Sequence, residues 1–276
     1  MQFISNYHTH TALCGHATGM SADYIKVAIQ KGLQEIGMSD HGPIPRSFMT
    51  AQEYVNNWLE RQMDYQMFKE VYLPDVNQAI RDYSSLIKIR KGLEIEYIKG
   101  HDEYYELLLQ DVDYLLLGVH YFHTPNGLYN TYEPMDKTRA LDYASTIEAA
   151  LATGFFKVLV HPDLFLASYL SDKGKYEFDE VALQVTKRII ASAIKNNVAL
   201  EINAGGIRKQ SVYKEGCLDF LYPRYDFWNV VKDFKDVCIV IGSDAHQPQE
   251  IADFSSEMAI DFANQFGLKI SQNLTF

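Results

Sequence analysis

Strand-length apolar runs in this 276-residue chain end, one after another, in histidine. His8 and His10 close the first run, and His16 follows six residues later. His41 follows Ser39-Asp40, His120 follows Leu117-Gly118-Val119, His161 follows Val158-Leu159-Val160, and His246 follows Gly242-Ser243-Asp244-Ala245. The strands implied are Gln2–His8, Glu35–Ser39, Ile87–Glu96, Tyr114–Tyr121, Lys157–Val160, Val198–Asn203 and Val237–Gly242. Helical spacing separates them: from Ser21 to Gly32, from a Thr50-Ala-Gln-Glu53 capping box to about Glu70, and over Lys137–Ala152, Asp179–Asn197 and Gln249–Phe266. Strand and helix in alternation give an α/β fold with a parallel sheet and right-handed crossovers. An open sheet would spread the histidines along its edge, whereas a closed barrel brings every strand end to one mouth. The expected molecule is therefore one barrel domain over residues 1–276. The stretch from about 46 to 85 is too long for one helix and is expected to form a helical insertion or lid at that mouth.

Histidines two apart at a strand end share a face and can chelate one ion. The pair alone is a weak sign. The rival explanation, ordinary hydrogen-bonded histidines, has to hold independently at His8, His10, His16, His41, His120, His161 and His246. Neutral imidazoles cannot offset the charge of several cations, so carboxylates are needed as well. Gly92-Leu93-Glu94-Ile95-Glu96 puts two on the inner face of one strand, where an unpaired carboxylate is costly, and Asp244 is the next candidate. Asp40 and Asp163 adjoin histidines and can orient their N–H groups, though Asp163 can equally be a solvated turn residue. Cys14 reads as a small packed residue, with a soft ligand as the alternative. Such a donor set accepts Zn, Fe or Mn.

Composition narrows the partners. A net charge of -11 without a basic cluster repels a nucleic-acid backbone, and no run is apolar enough to cross a bilayer. Three scattered cysteines and a start without a leader pattern fit a reducing cytoplasm. A small molecule is the expected partner; the oligomeric state is not encoded in any visible pattern.

Taken in order, Tyr7-His8-Thr9-His10, Ser39-Asp40-His41-Gly42-Pro43, Gly92-Leu93-Glu94, Gly118-Val119-His120, Val160-His161-Pro162-Asp163 and Gly242-Ser243-Asp244-Ala245-His246 resemble the successive motifs of the PHP (polymerase and histidinol phosphatase) family. The resemblance implies a distorted seven-stranded (β/α)7 TIM-like barrel with two or three divalent ions at the C-terminal ends of the strands. It implies one ion on His8, His10, Glu94 and Asp244. A second would share Glu94 and add His120 and His161, and a third would take His16, His41 and His246. It selects Glu94 over Glu96, which stays the runner-up.

Leu200-Glu201-Ile202-Asn203 is the one strand with no ligand candidate at its end, and it runs into Ala204-Gly205-Gly206-Ile207-Arg208-Lys209. Glycines there can free N–H groups for an anion, and Arg208 offers a fork suited to phosphate, with Lys209 beside it. The segment is similar to that of the histidinol-phosphatase branch, where the arginine binds substrate phosphate. His123, just past His120, is a candidate for the pocket wall, with Tyr121, Tyr129 and Tyr132 as its floor; His101 reads as solvent-exposed. The resemblance thus implies a metal-dependent phosphomonoesterase acting on histidinol phosphate in histidine biosynthesis, with Arg208 neutralising phosphoryl oxygens and Asp244 or His246 protonating the leaving oxygen. That branch also carries a basic residue soon after its His-Pro-[Asp/Thr]-Leu motif, whereas here none arrives between Leu164 and Lys173. A sugar, nucleotide or phosphotyrosyl phosphate is therefore an alternative substrate, and a non-catalytic, metal-stabilised module is the alternative of a different class.

Overall fold

The computed structural model of the chain describes residues 3–56, 59–209, 211–214 and 217–275. Its strands are β1 (Ser5–Asn6), β2 (Glu35–Met38), β3 (Lys88–Ile95), β4 (Tyr114–Leu117), β5 (Tyr121–Thr124), β6 (Gly127–Asn130), β7 (Phe156–Leu159), β8 (Ala199–Asn203), β9 (Ser211–Lys214), β10 (Cys217–Phe220) and β11 (Ile239–Gly242). Seven of them pair in the order β1-β2-β3-β4-β7-β8-β11, every pair parallel. The remaining strands form the antiparallel hairpins β5-β6 and β9-β10. The sheet closes through a single bridge, Thr9 to Ala245, where the His10 N–H donates to the Ala245 carbonyl at 2.9 Å. A seven-stranded parallel barrel, nearly closed, is what the strand-end pattern called for.

Alternation along the strands sorts the apolar residues into two cores. On β4, Leu115 and Leu117 join the large core beneath the outer helices. Tyr114 and Leu116 instead join Tyr7, Val158, Val160, Ala199 and Val240 in a smaller core inside the barrel. Tyr114 plugs this interior, its hydroxyl donating to the Tyr7 carbonyl at 2.7 Å. Register then fixes which carboxylates point inward: Glu94 sits beside Leu116 and Glu201 beside Val240. The outer helices start at aspartate caps, Asp136 before Lys137–Ala152, Asp179 before Glu180–Lys195 and Asp253 before Phe254–Gln265, each accepting backbone N–H groups of the first turn.

Four expectations need correction. β1 is only two residues long, and β4 stops at Leu117 because Gly118-Val119-His120 turns away before Tyr121 opens the hairpin. The last helix does not begin at Gln249: Pro248–Glu250 is a separate turn, and the Asp253 cap sets the start at Phe254. The helix opened by the Thr50 capping box is described over Ala51–Asn56, a separate turn occupies Leu59–Arg61, and a new helix starts after Asp64, which accepts the Met67 N–H. From Tyr65 to Tyr83 the chain is helical, with a π-type turn at Phe68–Tyr72. This second half is the barrel's own crossover between β2 and β3. Its buried Tyr72 hydroxyl lies 2.8 Å from the carbonyls of both Met38 and Gly92, with one proton to share between them. Ahead of that helix, Gln62 reaches the mouth and joins the cavity wall.

Candidate metal centre

At the mouth, side-chain donors gather into three tight groups: His8, His10 and Glu94; Glu94, His120 and His161; and His16, His41 and His246. Within the first, His8 Nε2 and His10 Nε2 lie 3.1 Å apart, and Glu94 Oε2 lies 3.3 and 3.4 Å from them. Asp244 Oδ1 adds a fourth donor, 3.2 Å from His10 Nε2. In the second, Glu94 Oε1 is 3.0 Å from His161 Nε2 and 3.7 Å from His120 Nε2. In the third, His246 Nε2 and His16 Nε2 are 3.0 Å apart. Donors each about 2.1 Å from one ion lie roughly 3–3.5 Å from one another, so these spacings suit shared cations. Among the described residues the buried Nδ1 atoms of His10, His41 and His161 make no well-aligned hydrogen bond, a costly arrangement unless each imidazole has another role. The donor set fits divalent ions. A fourth grouping, His10, Cys14 and His246, brings the fully buried Cys14 close, but burial pushes its thiol up to about 12, which suits a packed residue better than a thiolate ligand.

Electrostatics divides the imidazoles. Burial, reinforced by the charge of His10, lowers His16 and takes His41 well below the usual range, and brings His246 down to about 3. Burial also lowers His161. These rings are neutral and present lone pairs. For His8, His10 and His120, burial works in the same direction but carboxylates override it: Glu201, Glu94 and Asp244 around His8, Asp244, Asp40 and Glu94 around His10, Glu94 and Glu96 at His120. His10 rises to about 9. Glu94 and Asp244 sit well below the carboxylate range despite burial, held down chiefly by His8 and His120 for the first and by Lys209 and His8 for the second. Two of the donors, His161 (φ 33°) and Asp244 (φ 45°), occupy the left-handed region that side chains rarely adopt. The surrounding structure bends the chain there to aim them inward.

Two further glutamates orient the ligands. Glu96 accepts from His120 Nδ1 at 2.7 Å and from the Tyr121 hydroxyl at 3.1 Å, so the runner-up ligand is an orienting group. Glu201, which sequence reading passed over, does more. It takes His8 Nδ1 at 2.8 Å and the His161 N–H at 3.0 Å, and it is held by Asn203 Nδ2 at 2.7 Å. This strand therefore braces His8 and His161 from two others. The available sign was alternation: Glu201 and Asn203 share the inward face of a buried strand. Replacing Glu201 by Gln should weaken metal binding about 10–100-fold, read by competition with a fluorescent chelator. Unchanged affinity would show that Glu201 only fills space.

The donors floor a cavity of about 400 Å³, lined also by Gln62, Asn130, Tyr132, Glu133 and Lys209. Lys209 Nζ reaches 3.7 Å from Asp244 Oδ2 and donates to the Tyr222 hydroxyl at 3.1 Å. Arg208 points elsewhere: its Nε donates to Asp253 at 2.9 Å and its guanidinium to the Ser243 carbonyl at 3.0 Å. Residues 204–209 form a helix rather than an open glycine loop. A Cβ on Gly205 would lie 2.6 Å from Asp244 Oδ2, and one on Gly206 would strike Tyr222, so these glycines permit close packing, and the Gly206 N–H is taken by Asn203 Oδ1 at 3.1 Å. His123 accepts the Lys99 N–H at 3.1 Å and does not line the cavity. Asp163 accepts the Arg224 N–H and Trp228 Nε1, not an imidazole, while Asp40 lies 3.7 Å from His10 Nδ1 and binds Thr11. His101 stacks on Phe48 with ring centres 3.6 Å apart.

Residues 6–205 match the model of the PHP domain. The chain is 29% identical over 259 residues to "Probable histidinol-phosphatase" of Deinococcus radiodurans, covering 91% of this chain and 89% of the relative. It is 24% identical over 263 residues to "Histidinol-phosphatase" of Bacillus subtilis, covering 88% and 94%. Among solved structures, it superposes with a TM-score of 0.70 and 16% identity on histidinol phosphate phosphatase from Lactococcus lactis, complexed with Zn, L-histidinol and phosphate. That alignment spans 97% of this chain and 95% of the other.

Proposed function

The chain belongs to the PHP-domain family, and from that footing we propose a metal-dependent phosphomonoesterase that hydrolyses L-histidinol phosphate. The observation that carries this reading is the convergence of three donor groups on one cavity floor. The names and bound ligands of its relatives support the substrate. His8, His10, Glu94 and Asp244 would hold one ion, Glu94, His120 and His161 a second, and His16, His41 and His246 a third. Zn, Fe or Mn held there supplies Lewis acidity, polarising phosphoryl oxygens and acidifying water.

The chain's own groups do the rest. Glu201 and Glu96 fix ring orientation through the nitrogens of His8 and His120 that face away from the donor clusters. Lys209 keeps its proton: burial opposes the charge, but Asp244, Tyr132 and Glu94 favour it. Its ammonium beside Asp244 is the cation placed to meet a phosphate oxygen, the role sequence reading gave first to Arg208. Asp244 and His246 are both held unprotonated, as ligands must be, so neither is ready to protonate a leaving oxygen. On this reading the enzyme serves histidine biosynthesis in the cytoplasm and acts on a small molecule rather than nucleic acid. Among the described residues no helix is long and apolar enough to cross a membrane.

The test is phosphate release from L-histidinol phosphate alongside elemental analysis of the purified protein. Turnover no faster than that of generic aryl phosphates would transfer the activity to another phosphomonoester. The short helix Phe165–Ser168, which carries no basic residue after Leu164, favours that alternative. Lys209→Ala should raise KM roughly 10–100-fold with metal content unchanged, the usual cost of losing a charged hydrogen bond. Arg208→Ala should instead lower Tm by a few degrees through loss of its Asp253 pair, with KM near wild type. The reverse pattern would restore Arg208 as the phosphate anchor.

A further inference from the structure

We propose that Tyr132 and Glu133 form the wall that selects the leaving alcohol, favouring a phosphomonoester whose far end is planar and cationic. The proposal rests on the phosphatase reading above and adds the specificity device. The Tyr132 ring lies 6.2 Å from the His120 ring and only 14° from parallel to it. Tyr132 nevertheless remains 51% exposed at the cavity wall. One face of the phenol therefore backs onto a metal-centre histidine while much of the side chain stays accessible. A planar cation laid on such a ring gains both stacking and charge–quadrupole attraction.

The wall is bolted to the centre through its backbone. The Thr131 N–H donates to the His120 carbonyl at 2.8 Å, and its hydroxyl donates to Val119 at 2.7 Å. The Tyr132 N–H donates to Asn130 Oδ1 at 2.9 Å, and the Glu133 N–H to the Asn130 carbonyl at 3.1 Å. Tyr132 and Glu133 thus stand in fixed relation to His120, as a specificity element needs.

Charge supplies the second argument. Asn130 and Glu133 line both the metal cavity and an adjoining one of about 720 Å³, whose other walls include Glu53, Glu60 and Arg61. Beyond Tyr132 the path is therefore acidic, whereas Lys209 stands among the metal donors. A substrate with phosphate at one end and a cationic group at the other matches this polarity; a neutral alcohol matches only half of it.

The experiment compares kcat/KM for L-histidinol phosphate, phosphoethanolamine and glycerol 2-phosphate in the wild type and in Glu133→Gln, Tyr132→Ala and Tyr132→Phe, with metal content measured for each. Glu133→Gln should cut the preference for phosphoethanolamine over glycerol 2-phosphate about tenfold. Tyr132→Ala should cut the preference for L-histidinol phosphate over phosphoethanolamine by a similar factor, roughly tenfold, and Tyr132→Phe should keep it. Because each is a ratio within one protein, partial loss of metal does not obscure it. If the wild type favours L-histidinol phosphate but neither ratio moves, the wall assignment falls and the phosphatase reading stands. If the wild type favours phosphoethanolamine over glycerol 2-phosphate, Glu133→Gln erases that preference, and L-histidinol phosphate is not favoured, the substrate reading falls and the cationic selection by Glu133 stands.

Discussion

Glu94→Gln should strip at least one ion from the protein and lower kcat by roughly 10³-fold or more. Among the described residues no other carboxylate reaches two of the donor groups and approaches a third. Its Oε2 lies 3.3 Å from His8, 3.4 Å from His10 and 3.2 Å from His41 Nδ1, while its Oε1 faces His161 and His120. Gln preserves the shape but removes the anion, so the ions it would bridge lose both a donor and a counter-charge. Glu94→Asp keeps the charge and withdraws it by one methylene, and should fall between the two. Metal content by elemental analysis and turnover should decline together. A Glu94→Gln protein with full metal and activity within tenfold of wild type would remove Glu94 from the centre.

Chelation has the next largest expected effect. An ion present at a thousand times its Kd stabilises the fold by about 4 kcal/mol, so losing two or three should lower Tm by roughly 10 °C or more and abolish turnover. The third group is the outermost, with His16 exposed and His246 half-buried, and should empty first. Reloading should depend on pH with a definite sign. Burial disfavours the charge on His10, yet Asp244, Asp40 and Glu94 raise it to about 9. Below that pH an incoming ion must displace a proton from His10, so apparent affinity weakens as pH falls from 9 towards 6, with protons released on binding. A flat affinity profile across that range would show that the histidines bind metal without competition.

The barrel and its donors were legible because both rest on period and order. Apolar runs ending in histidine dictate convergence, and alternation on β3 turned Glu94 and Glu96 inward. What escaped were choices made by tertiary neighbours. Arg208 and Lys209 are adjacent in sequence, and tertiary partners separate them: Asp253 and the Ser243 carbonyl hold Arg208, while Lys209 lines the cavity. Glu201 was passed over because it ligates nothing; its partners, His8 and the backbone of His161, come from other strands. The segment between β2 and β3 was divided wrongly because a capping box marks where a helix begins and not where it ends. Asp64 restarts the helix after a break that composition does not announce.

The seam between β1 and β11 has a thermodynamic consequence. The barrel's first and last strands meet there through one backbone bridge and the bond from the Ser243 N–H to Asn6, which joins residues 237 apart in the chain. His8 and His10 stand on one side of that join, Asp244 and His246 on the other. Ions held between them would clasp the first and last strands of the barrel, and a clip that closes a long loop removes the most freedom from the unfolded ensemble. Loading the centre and closing the barrel would then be one cooperative event.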